Sequence, residues 1–87
     1  MRKTIIAGNW KMHLTAGEAK DLAGSIAGYV GKQTDPLVIL CPPSPLLTAV
    51  AGGIAGSSVG LSAQNVHYED HGAFTGENSD TMLHSVG

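Results

Sequence analysis

Asn9 and Lys11 stand one residue apart in Gly8-Asn9-Trp10-Lys11, directly after the short β-branched run Thr4-Ile5-Ile6-Ala7. If the chain stays extended there, the amide and the ammonium point to one side and Trp10 to the other. Such a pair suits an anion, phosphate or carboxylate. The alternative reading is a surface lysine beside a turn asparagine. His67 and His71 lie four apart, with Glu69 and Asp70 between them and His84 further on. These are metal-ligand residue types. They lack the His-Glu-x-x-His pattern of zinc proteases, and loop histidines beside carboxylates are the better reading. No metal is expected. Cys41 closes an apolar run with no basic residue near it in sequence, so an inert buried thiol is expected rather than a nucleophile. The glycines of Gly52-Gly53-Ile54-Ala55-Gly56 neither follow a strand nor open a helix, and they form no phosphate-binding fingerprint.

The elements that must position these residues follow from the apolar pattern. Thr4–Ala7 is short and continuous, as a strand covered on both faces reads. Thr15-Ala16-Gly17-Glu18 is a capping box, with Thr15 as N-cap. Ala19, Leu22, Ala23, Ile26, Ala27 and Val30 then make one helical stripe, which Gly31 ends. Gly24 and Gly28 each weaken that helix by about 1 kcal/mol relative to alanine. Leu37–Cys41 is the clearest strand, stopped by Pro42-Pro43. Ser44-Pro45 reads as the start of a helix running from Leu46 to about Ile54. A third strand spans roughly Val59 to Ala63. A polar loop from Gln64 to Asn78 is long enough to point to a functional role. Ser79-Asp80 can cap a last short helix, Thr81 to His84. Strand and helix alternate three times. That predicts one α/β domain over residues 1–87, with parallel strands joined by right-handed crossovers.

Composition narrows the function classes. The 87 residues carry five basic and seven acidic side chains, a net charge of −2, and every Lys and Arg lies before position 33. A general nucleic-acid surface needs clustered basic charge, so no nucleic-acid partner is expected. A single cysteine excludes a disulfide framework within the chain. No apolar run approaches membrane-spanning length, and Asn9 and Lys11 cut short the run that begins at Ile5. No membrane association is expected, and the cytoplasm is the expected setting.

Three segments carry a resemblance. Ala7-Gly8-Asn9-Trp10-Lys11-Met12, then Cys41-Pro42-Pro43, then Ala63-Gln64-Asn65 with Gly72-Ala73-Phe74-Thr75-Gly76-Glu77 resemble the triosephosphate isomerase family in order and spacing. The resemblance spans the whole chain. It implies that the three units are the first three of eight in a (β/α)8 barrel, a partial TIM barrel. It implies that Asn9 and Lys11 are the substrate-binding and electrostatic pair. The lysine would attract a phosphate dianion and balance charge on an enediolate, and Asn9 would orient it. It also implies that the loop from Gln64 to Glu77 enters a partner subunit, where Thr75 would steady the neighbour's Asn9 and Lys11. Gln64, Glu77, Phe74 and His13 are the further expected interface or bracing residues. No cofactor is implied. Two departures stand out: His13, where the family often has Asn, and Asn78-Ser79-Asp80, where it usually has an aliphatic residue, Ser and Pro.

A complete barrel needs about 250 residues. In the family the electrophilic histidine follows strand four and the general-base glutamate follows strand six, so the 87 residues alone are expected to be inactive. Open strand edges invite pairing with other chains. A homo-oligomer, or a complementary barrel fragment, is expected to cover an apolar face of Ile5, Val38, Leu40 and Val59. A small phosphorylated substrate is expected only once the barrel is complete. A non-catalytic self-associating fragment and a weak phosphate-ligand module are the alternative readings.

Overall fold

The computed structural model describes residues 2–87. Three strands, β1 (Ile5–Asn9), β2 (Leu37–Cys41) and β3 (Gly60–Leu61), form one parallel sheet in the order β1-β2-β3. They alternate with helices α1 (Ala16–Val30), α2 (Leu47–Ile54) and α3 (Asp80–Ser85). This is the β-α repeat of a partial TIM barrel, in which sequential parallel strands need helical crossovers.

Glu18 starts α1 by reaching back to Thr15. Its Oε1 accepts the Thr15 backbone N–H at 3.1 Å and the Thr15 hydroxyl at 2.9 Å. At the other end Gly31 takes φ 60° and its N–H donates to the Ala27 carbonyl. The helix buries small residues, Ala19, Ala23 and Ala27. That lets α2 come close: a Cβ on Gly53 would lie 2.8 Å from the Lys20 carbonyl oxygen and 2.9 Å from the Ala23 Cβ. Ala19, Ala23 and Ala27 join Leu40, Leu46, Val50, Ile54 and Val59 in the core. Leu22, expected on the buried stripe, is 44 % exposed.

Ser44–Leu46 forms a 3-10 turn ahead of α2, so Ser44 lies inside the turn and Pro43 takes the capping position expected of it. The Leu46 N–H donates to the Pro43 carbonyl at 2.9 Å. β3 is shorter than the span from Val59 to Ala63 because only Gly60 and Leu61 meet β2 in register. α3 begins one residue earlier than expected, with the Ser79 hydroxyl accepting the Met82 N–H at 3.2 Å.

Two expectations about the sheet need correction. β1 is not covered on both faces: Ile5 and Ile6, which point to opposite sides, are each 54 % exposed. β1 has a strand neighbour on one side alone, and the buried side chains gather over β2 and between α1 and α2. Second, Val38 and Leu40 do not belong to an uncovered face. Leu40 is buried among the α1 alanines, Val38 packs against the same cluster, and Val59 is buried with them. Strand alternation then puts Ile5, Ala7 and Asn9 on the side away from the helices, in register with Leu37, Ile39 and Cys41.

Candidate anion-binding corner and its loop

Asn9 and Lys11 lie at the carboxyl end of β1. In parallel α/β architectures, ligands bind at that end of the strands. The strand ends at Asn9, and its Oδ1 accepts the Lys11 backbone N–H at 2.9 Å. Lys11 takes φ 56°, so the expectation of an extended chain through Lys11 is overturned. The turn is an Asx turn, which asparagine favours because its short amide mimics a backbone carbonyl. For a lysine the left-handed region is strained, and such strain persists only where neighbours enforce it.

The neighbours come from three elements. The Trp10 N–H donates to the Cys41 carbonyl at 3.1 Å, continuing the β1–β2 ladder by one bond. Gln64, just beyond β3, donates from Nε2 to the Lys11 carbonyl at 2.9 Å and to the Cys41 carbonyl at 2.9 Å. One side-chain amide thus ties the Lys11 turn to the end of β2. The Trp10 side chain packs against the core and anchors the segment from beneath. Lys11 itself is exposed. Among the described residues no carboxylate stands within ion-pair distance of it. Its charge is therefore available to a ligand. With Asn9 Oδ1 engaged by the turn, Nδ2 is the amide's remaining donor.

The loop after Gln64 closes on itself. His67 and Ser79 form a parallel bridge, and the His67 N–H donates to the Asn78 carbonyl at 2.8 Å. The Thr81 hydroxyl contacts Asp70 Oδ1 at 3.4 Å, and a Cβ on Gly72 (φ 144°) would lie 2.7 Å from the Phe74 ring. Phe74 is 42 % exposed and Thr75 stands exposed at the tip. Within one chain Thr75 has no hydrogen bond to Asn9 or Lys11 among the described residues. A cavity of about 240 Å³ beneath the loop is lined by Pro43, Ser44, Gln64, His67, Glu77 and Asn78, and Asn9 and Lys11 do not reach it. His13 is exposed beyond Lys11. Gln64 braces the corner from its own chain, while Glu77 lines the cavity with it and Thr75 stands exposed. Glu69, Asp70 and His71 line a second cavity with His67. No group of three or more potential metal ligands converges among the described residues.

Sequence reasoning did not single out the Cys41 carbonyl, on which Trp10 and Gln64 converge, because a backbone acceptor leaves no residue signature. It weighed His67 as a metal-ligand type beside His71 and did not foresee its ring packing on Phe74, seven residues away with no periodicity to announce it.

The fold and the corner define a β-α barrel segment with an exposed, unpaired lysine at its strand ends. The profile of the triosephosphate isomerase family matches residues 4–87, and the chain belongs to that family. It is 48 % identical over 87 residues to the triosephosphate isomerase of Chloroflexus aurantiacus. It is 43 % identical over 88 residues to that of Synechococcus sp. and 46 % identical over 86 residues to that of Rhodopirellula baltica. These alignments cover 100 %, 100 % and 99 % of the chain, but 35 %, 36 % and 34 % of those relatives. The chain thus spans about a third of the length of the curated relatives it matches. No helix among the described residues is long and apolar enough to cross a membrane.

Proposed function

We propose that these residues form the first three units of a triosephosphate isomerase, the glycolytic and gluconeogenic enzyme of the cytoplasm that interconverts dihydroxyacetone phosphate and glyceraldehyde 3-phosphate. The observation that carries the reading is the Lys11 turn. A strained lysine is held by Asn9 and Gln64 with its ammonium unpaired, at the strand ends where a phosphorylated substrate arrives. Lys11 would draw in the phosphate dianion. The turn fixes the Lys11 backbone, from which the ammonium would reach the negative charge developing on the substrate. Asn9 would donate from Nδ2 to the substrate while its Oδ1 keeps Lys11 in place. Proton transfer itself belongs to residues the family supplies from later strands, so the 87 residues alone are proposed to be inactive. The exposed loop tip, with Phe74, Thr75 and Glu77, is the part that would enter a second subunit of a homo-oligomer.

The test is a chimera in which residues 1–87 replace the matching first third of the Chloroflexus aurantiacus enzyme. Isomerase turnover in the chimera, and none in the 87-residue chain, is expected. A specific observation also favours self-association of the 87 residues by themselves: Ile5 and Ile6 are exposed on both sides of an edge strand. In that state the chain is a non-catalytic assembly.

A further inference from the structure

His67 is the one ring that the loop turns inward. Its side chain is 15 % exposed, whereas the neighbouring Val66 and Tyr68 are 53 % and 86 % exposed. The imidazole centroid lies 4.1 Å from that of Phe74 and 4.5 Å from that of Tyr68. Its Nδ1 is 3.9 Å from Oε1 of Glu77. Phe74 and Glu77 are the two ends of one tight turn, in which the Glu77 N–H donates to the Phe74 carbonyl at 3.1 Å and Gly76 takes φ 85°. A glycine with positive φ at the third position marks a type II turn, which puts Thr75 at its second position. His67 therefore touches both corners of the turn that presents Thr75.

We infer that His67 is a positioning residue for Thr75, clamping the turn that carries this hydroxyl toward the second subunit. The inference rests on the proposed reading of the loop as the segment that enters that subunit. The clamp works by ring packing. A separation of 3.9 Å is too long for a hydrogen bond, and Nε2 is buried with no hydrogen-bond partner among the described residues. Gly72 lies so close to the Phe74 ring that a Cβ there would meet it at 2.7 Å, so the ring packs against Gly72 as well as His67. An aromatic ring at position 67 without nitrogens should therefore serve as well as imidazole.

The experiment uses the chimera. Subunit association is measured by sedimentation over a dilution series, and kcat/KM is measured where the parent is fully associated. His67→Ala is expected to weaken association about tenfold, the upper range for loss of an aromatic pair, and to lower kcat/KM. His67→Phe, a ring-for-ring exchange that keeps the packing, is expected to restore both toward the parent. Tyr68→Ala strips a ring from the outer side of His67 without touching the turn, and it is expected to leave both near the parent. His67→Leu, which fills the space without a ring, gives the same comparison should the alanine variant not fold. Equal association in His67→Ala and the parent overturns the inference. So does Tyr68→Ala as damaging as His67→Ala, or a failure of His67→Phe to rescue. A parent chimera that neither associates nor turns over strikes the proposed function instead.

Discussion

At the scale of single residues, the corner depends on a lysine held where lysine does not rest comfortably. Its φ of 56° would suit glycine. Lys11→Gly is accordingly expected to keep or raise stability, by up to about 1 kcal/mol, while removing the charge that attracts an anion. Urea denaturation of both forms at one protein concentration checks this, and a loss of 1 kcal/mol or more would mean that the turn carries no strain. What the sequence made legible here was residue type and place: an amide and an ammonium just after a strand. The turn at Asn9 was legible only as the alternative to an extended chain, and its brace from Gln64, 53 residues away along the chain, was not legible. No local rule reports a bond of that span. The same holds for Gln64 itself, whose expected role at an interface or as a brace resolves within this chain into two bonds to carbonyls.

Elements show where local rules suffice. The Thr15–Glu18 box is read directly from the sequence and is present. The Thr15 hydroxyl first, and then its backbone N–H, hold the Glu18 carboxyl below the ordinary carboxylate value. A carboxyl whose pKa is lowered on folding adds stability above its unfolded pKa. That increment is lost as pH falls through the folded value. In thermal melts, Glu18→Ala is therefore expected to be less stable than the parent at pH 7, with the gap closing as pH drops below about 4. A gap unchanged down to pH 2.5 would contradict the assignment. Two glycines of the helix pair should respond oppositely to alanine. A Cβ on Gly28 meets nothing within 4 Å, so Gly28→Ala should stabilise by about 0.5–1 kcal/mol through helix propensity. Gly53→Ala drives a methyl into the Lys20 carbonyl and Ala23 and should cost about 1–3 kcal/mol. Denaturant midpoints of the two variants decide it, and a shift in the same direction for both would be at odds with the packing. β1 was misread because a continuous apolar run reports the burial that a strand is suited to. It cannot say which neighbours are there to provide it.

For the whole molecule, the alternation of strands and helices was enough to give parallel strands, and the resemblance to a barrel implied their sequential order. It was not enough to give the side of the sheet that stays open. Strand parity depends on register, and one residue of slip exchanges the faces. The helix-covered side holds Val38 and Leu40, while the open side holds Ile5, Ala7, Leu37 and Ile39. An apolar side and an unpaired β1 edge predict that the 87 residues associate at micromolar concentration in sedimentation velocity. A single species at the monomer mass of 8.9 kDa across that range would count against it.

The most direct measurement is the isomerase rate of the chimera with Lys11 and with Lys11→Met. The expected result is turnover in the parent and a loss of at least about a hundredfold in kcat/KM in the variant, the scale of removing one preorganised charge-stabilising group. A folded, associated chimera without turnover, or one that Lys11→Met leaves as active as the parent, would contradict the account.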